Sequence, residues 1–311
     1  MNVLIVMIVI LGTLAALYVA FSWVLARLWC KPQLLPVTKS PADFGMTFER
    51  VQYYSHGIGL DGWFIPARPG ITQPAVIILA HGWCKNAVEM LPTAQLLHQS
   101  GFALLLYHAR GHGTSGEDGP ITILKMAEDI IAGIDYLKTR SDIDNKRLGV
   151  LGRSIGGSAA ILAASIDRRI RGLVSCSAFA DPRALTRDFL TSKRIPAALF
   201  TWLVSRFIES WLGTAMDDVA PRNCIGRITA PLLLIHGEND RYVPASNLDI
   251  LFTQAPQEYT RRLVIPNRGH SDVMRDPKSK QEILEFFNEN LQPNDGKLCE
   301  VAVVSFQHAE G

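Results

Sequence analysis

The sequence predicts an α/β domain, a mostly parallel central sheet with helices on both faces, behind one membrane-spanning helix. Three observations predict it. Short apolar runs alternate with longer helical stretches after residue 46, which implies parallel strands joined by helical crossovers. Residues 1–26 carry no charged side chain. The 311 residues are 48% hydrophobic and 19% charged, which suits a large core plus an apolar segment rather than a disordered chain.

The elements follow in order. Residues 3–25 are almost wholly apolar, long enough to cross a hydrocarbon layer of about 30 Å as a helix. Trp23 and Trp29 stand near the end of the run, where amphipathic rings favour the interface. A cleaved signal peptide is the alternative. Against it, no Lys or Arg precedes the run, the run exceeds a typical signal core, and no small-x-small site follows. The expected division is an anchor over 1–29, a proline-bearing linker over 30–45, a catalytic domain over 46–292 and an unassigned tail over 293–311. Arg27, Lys31 and Lys39 follow the span, so the positive-inside tendency puts the domain in the cytoplasm. Five scattered cysteines without metal spacing agree with a reducing compartment. Cys30 is read as an inert thiol, with thioester lipidation the alternative.

Segments 47–55 and 60–65 read as an antiparallel hairpin. Strands are expected over 75–80, 102–107, 148–151, 173–177, 232–236 and 262–265. Helices are expected over 88–99, 122–138, 155–165 and 278–290. The connection from 178 to 230 is too long for a plain crossover and is expected to hold a small helical cap, about 181–222. Within it Leu199, Phe200, Leu203, Val204, Phe207, Ile208, Trp211 and Leu212 cluster on one helical face, with Thr201, Ser205, Arg206 and Glu209 opposite.

Candidate chemistry sits at the strand ends. Gly152-Arg153-Ser154-Ile155-Gly156 lies between an apolar strand and a helix. A sharp strand-to-helix turn of this kind projects a serine hydroxyl, and glycines allow the close packing around it. A serine hydroxyl is a poor nucleophile at neutral pH and needs a histidine base held by an acid. His270 follows the last strand, and Asp240 ends the turn after 232–236, with Glu238 or Asp272 as alternative acids. The chain order Ser154, Asp240, His270 suits such a sheet. The oxyanion needs two backbone donors: the amide of Ile155 is one, and that of Trp83 in His81-Gly82-Trp83-Cys84 the other, with Cys84 second. Duller readings exist for each: Ser154 as a helix cap, Asp240 as a turn residue, His270 as a surface histidine.

Taken together, His81-Gly82-Trp83, Arg110-Gly111-His112-Gly113 with Ser115, the Gly152–Gly156 turn, Gly237-Glu238-Asn239-Asp240 and Gly269-His270 resemble the α/β-hydrolase superfamily. They look most like the serine aminopeptidase and monoacylglycerol-lipase group and the prolyl oligopeptidase catalytic domain. The stretch before Met46 has no room for a propeller, so a catalytic domain without one is expected. The esterase His-Gly-Gly-Gly run is absent, which disfavours that lineage. The resemblance implies a serine hydrolase working through an acyl-enzyme.

The expected reaction is cleavage of an ester or thioester with a lipophilic acyl group, its tail beneath Phe207 and Trp211. The alternatives are a serine peptidase or amidase, and a non-catalytic binding protein on the same fold. The expected partners are a small-molecule or lipid acyl substrate and the membrane. A net charge of +2 gives no field for nucleic acid. No cofactor is expected, and no metal: His81, His108, His112 and His236 lack the spacing of a zinc site. The sequence carries no signal for oligomeric state.

Overall fold

The structure, a computed structural model, describes residues 3–292. The tail expected over 293–311 lies outside the described residues. Eight strands form one sheet: β1 (Glu49–Ser55), β2 (Ile58–Ile65), β3 (Val76–Ala80), β4 (Ala103–Tyr107), β5 (Leu148–Arg153), β6 (Ile170–Cys176), β7 (Leu232–Gly237) and β8 (Thr260–Ile265). Their order is β1-β2-β4-β3-β5-β6-β7-β8. β1 and β2 pair antiparallel, β2 joins β4 antiparallel, and the remaining strands run parallel. The β1–β2 turn is tight because His56 and Gly57 both take positive φ, 49° and 81°, the twist that matches a hairpin.

β3, β4, β5 and β7 are buried at every residue, which is why their sequences read as unbroken apolar runs. One face packs on α3 (Ile123–Lys138) and α4 (Ile155–Ile166), through Ile130, Ile134, Ile161 and Leu162. The other packs on Leu91–Gln99 and Pro277–Leu291, through Leu97, Ile283, Phe286 and Phe287. The helix expected from 88 opens as a 3-10 turn, Ala87–Met90, before Leu91. Among the described residues three helices were not expected: Pro182–Ser192 within the insertion, the single turn Pro221–Cys224 before β7, and Ser246–Gln254 after it. Pro182–Ser192 is amphipathic but mostly polar in sequence, and the other two are short and carry no strong apolar period.

The chain steps outward from β3 to β4 and then returns to β5 on the other side of β3. The carboxyl ends of β3 and β5 therefore meet at a topological switch point, the place where open α/β sheets hold ligands.

The N-terminal helix, α1 (Val3–Trp29), buries only Ser22, Leu25 and Ala26. Leu25 and Ala26 meet Leu190, Val204, Ile208 and Met216 of the insertion in a third, smaller cluster. The two insertion helices Pro182–Ser192 and Ala197–Leu212 are called α5 and α6 below. The segment from 30 to 45 is laid on the domain: Asn86 Nδ2 donates to the carbonyls of Leu35 and Pro36, and the Gln33 amide donates to Cys84 Sγ at 3.2 Å. Cys30 is buried, and burial pushes its thiol up to about 12.

The expected polarity of α6 is corrected. Ser205 and Glu209, assigned to the outer face, are buried, while Leu199 and Trp202 are 55% and 64% exposed. Glu209 is drawn inward by Arg183, at 2.9 Å, and by the Met216 amide, at 3.1 Å. Phe207 faces α1. It lines an apolar groove with Ala15, Ala16, Val19, Ala20, Trp23 and Val24 of α1.

Candidate active site

β5 ends in Gly152-Arg153 and passes into α4 through Ser154, whose backbone takes φ 55° and ψ −125°. That conformation is strained for a side chain bearing a Cβ, and such strain persists only where the surroundings impose it. Here they do. A Cβ on Gly152 would stand 2.3 Å from the Gly156 carbonyl oxygen, and one on Gly156 would stand 2.4 Å from that of His81. Only hydrogen at both positions lets the turn fold so tightly beneath the serine. The amide of Ser154 donates to the Cys176 carbonyl at 2.8 Å and pins the turn to β6.

The three residues expected from the sequence converge. Ser154 Oγ lies 2.9 Å from His270 Nε2, and His270 Nδ1 lies 2.6 Å from Asp240 Oδ2. The loops bearing the last two are tied together: the Asn239 amide donates to the Arg268 carbonyl at 2.8 Å, and the Glu238 amide to that of Ile265 at 3.0 Å. The alternative acids are engaged elsewhere. Glu238 Oε2 accepts from the Asn267 amide, and Asp272 Oδ1 from the Gly269 amide.

Asp240 is buried, and its second oxygen accepts from the amides of Tyr242 and Val243 at 2.9 Å each. Burial alone would raise its pKa. Hydrogen bonds from His236 and His270, and from the Val243 amide, outweigh burial and hold the carboxyl well below the ordinary range. His236 went unrecognised as a site neighbour. It precedes Asp240 by four residues, and its Nε2 lies 3.3 Å from Asp240 Oδ2.

Among the described residues, the amides of Trp83 and Ile155 enter no hydrogen bond. Trp83 follows β3 and Ile155 opens α4, so both belong to the switch point.

One network was invisible in the sequence. Arg153, buried beneath the turn, pairs with Glu89 and donates from Nη2 to the His270 carbonyl at 2.8 Å. Glu89 Oε2 in turn accepts from the Gly82 amide at 2.9 Å. One ion pair thus joins the Trp83 loop, the serine turn and the histidine loop. Its members lie far apart in the chain, and no local motif marks Glu89.

Two further histidines sit below. His81 Nε2 accepts from the Ala109 amide at 3.0 Å, which leaves Nδ1–H to donate to the Gly82 carbonyl. His108 Nδ1 accepts from the Ala87 amide. Burial lowers both, His108 to about 4, so both are neutral hydrogen-bonding members of the fold.

Comparison with known proteins agrees with this architecture. The chain is similar to YfhR of Escherichia coli O157:H7, 28% identical over 246 residues that cover 77% of this chain and 80% of that one. It is similar to MT2364 of Mycobacterium tuberculosis, 27% identical and covering 85% and 86% of the two chains. Among solved structures it resembles the Pyrococcus furiosus esterase Pf2001, with TM-score 0.67 and 22% identity over 84% of this chain and 99% of that one. It also resembles the Pyrococcus horikoshii acylaminoacyl peptidase, with TM-score 0.63 and 20% identity over 81% of this chain and 43% of that one. The fold is that of the α/β-hydrolases. The model of the prolyl oligopeptidase family matches residues 89–294, more than half of the 311-residue chain. The chain belongs to the prolyl oligopeptidase family, as a serine hydrolase of α/β-hydrolase fold.

Proposed function

We propose that this chain is a membrane-anchored serine hydrolase that cleaves an ester or thioester of a lipophilic acyl group, with Ser154 as nucleophile, His270 as base and Asp240 as orienting acid. The reading divides the chain into an anchor over 1–29, a connecting segment over 30–45 and a hydrolase domain over 46–292 with its cap at about 181–222. The observation that carries it is the unbroken relay from Ser154 Oγ to His270 Nε2, at 2.9 Å, and from His270 Nδ1 to Asp240 Oδ2, at 2.6 Å.

The mechanism follows from the donors. Ionised Asp240 accepts Nδ1–H, so the lone pair of Nε2 faces Ser154 Oγ. As Oγ attacks the acyl carbonyl carbon, its proton passes to Nε2. The amides of Ile155 and Trp83 receive the oxyanion, helped by the α4 N-terminus. Collapse of the tetrahedral adduct expels the alcohol or thiol, which takes the proton from Nε2 and leaves an acyl-serine. Water, deprotonated by the same nitrogen, then releases the acid.

Substrate class is argued from surroundings. Aryl and alkyl side chains of α1 and α6 border the domain, and Pf2001, which shares the fold, is an esterase. The peptidase reading has its own support in the family's name and in the acylaminoacyl peptidase neighbour. The cations Arg27, Lys31 and Lys39 after α1 favour a cytoplasmic domain.

Ser154→Ala tests the chemistry. Labelling by a fluorophosphonate should vanish and turnover of an acyl nitrophenol ester should fall by at least about 10⁴-fold, with the thermal midpoint unchanged. Labelling undiminished in that variant overturns the assignment. A panel of long-chain thioesters against aminoacyl amides then decides between the two substrate classes.

A further inference from the structure

We infer that the N-terminal turn of α6 is inserted in the bilayer beside α1, so that the hydrolase domain is seated on the lipid surface by its cap rather than hung from a tether. The inference rests on the reading of α1 as a membrane span and adds the lipid-facing surface and its depth.

Depth comes from one contact. Tyr18 of α1 donates its phenol proton to the Leu199 carbonyl at 2.6 Å, and Tyr18 and Phe21 both pack on the Phe200 ring at 5.3 Å. The uncharged stretch of α1, residues 3–26, is about 36 Å long at about 1.5 Å per residue. A hydrocarbon layer of about 30 Å leaves about 6 Å to spare. Even if all the surplus falls at the C-terminal end, Tyr18 lies about 6 Å inside the boundary. If none does, it lies about 12 Å inside. Leu199 shares that depth, and helices held in the interface typically reach about 5–10 Å.

The surface of α6 changes polarity along its length. Its exposed side chains run from Leu199 and Trp202 at the N-terminal end to Arg206 and Ser210 further on. Water alone gives no reason to expose the first pair while Glu209 is buried on ion pairs. Cations stand near Trp29. Phe189 stacks on Trp29 at 4.0 Å, and Lys193 Nζ lies 5.9 Å from the Phe189 ring. Lys193 and its exposed neighbour Arg194 thus stand at the expected headgroup level, where cations meet anionic lipid. Four residues past Trp29, the Gln33 amide meets Cys84, next to Trp83. The loop proposed to hold the oxyanion is therefore close to the membrane surface.

The test uses the full chain in vesicles of phosphatidylcholine and phosphatidylglycerol, with an uncharged aryl diazirine dissolved in the lipid. After photolysis, peptides are mapped by mass spectrometry. The expected result is adducts on α1 and on the segment 199–203, with exposed Tyr54 unlabelled. In Leu199→Asp/Trp202→Asp, adducts on Phe200 and Leu203 should drop at least about fivefold while α1 stays labelled. Labelled α1 with an unlabelled 199–203 segment overturns this inference and leaves the anchor intact. Unlabelled α1 overturns the anchor reading and this inference with it. Unchanged labelling of Phe200 and Leu203 in the double variant also overturns it.

Discussion

The sheet domain and the α1–α5–α6 unit are made from the same apolar side chains and use them in opposite ways. In β3, β4, β5 and β7 every residue is hidden between two helical layers. Along α1 nearly every Leu, Ile and Val is exposed, while its partner α6 hides Ser205 and Glu209 and shows Leu199 and Trp202. The difference teaches that burial follows the solvent. The sheet domain is organised against water, and Ser154, His270 and Asp240 are paired with one another at its carboxyl rim. On the membrane reading proposed above, lipid takes the place of water along α1 and the first turn of α6.

The comparison yields predictions of decreasing size. The largest concerns the polar rim. Asp240→Asn keeps the shape of the site but leaves His270 Nδ1 facing an amide, which favours the wrong tautomer. The expected loss is about 10⁴-fold in kcat on an acyl nitrophenol ester, with the thermal midpoint within a few degrees of the parent. A loss below tenfold would show that Asp240 does not orient the base.

Next comes the tight turn. Gly156→Ala sets a methyl against the His81 carbonyl oxygen at a starting distance of 2.4 Å, with backbone on both sides. Destabilisation of about 3 kcal/mol is expected by urea unfolding, together with loss of fluorophosphonate labelling. An equivalent Gly→Ala change at Gly12 of α1, which has open space around it, should leave the same measurement unchanged.

A similar magnitude is expected from pH. His81 and His108 have lower pKa values folded than unfolded, so the unfolded chain binds more protons below about 6.5. Stability therefore falls as pH drops from about 6.5 to about 4, the folded value of His108, by up to about 3 kcal/mol for that residue. Asp240 works in the same direction: its depressed pKa stabilises the fold above the ordinary carboxylate range and fades only under stronger acid. Unfolding followed by tryptophan fluorescence across this range checks it, and a flat profile to pH 4 would contradict buried, neutral histidines.

The smallest effect belongs to the helical unit. Trp202→Ser removes an exposed ring, so stability of the domain in detergent should shift by less than about 0.5 kcal/mol. A large loss there would mean that Trp202 is packed in protein, and the contrast between the two regions would fail.

Much of the site was legible because it is assembled from short signals at strand ends. A glycine-flanked serine between a buried strand and a helix, and an acid and a histidine after the next strands in order, need no knowledge of distant contacts. The role of Arg153 was hidden because its partners, Glu89 and the His270 carbonyl, come from other loops. His236 was hidden for a related reason. A histidine within a buried strand says nothing of which carboxylate its ring will meet.

The sequence by itself determined the parallel sheet, since continuous apolar runs admit burial on both faces, and it determined the long apolar helix. Tertiary structure alone decided which acid reaches His270, which face of α6 turns inward, and where α1 lies against the cap. Those outcomes depend on ion pairs and close packing between segments remote in the chain. Helical periodicity reports that a face is apolar, but the solvent or partner that will meet it is fixed only when the pieces come together.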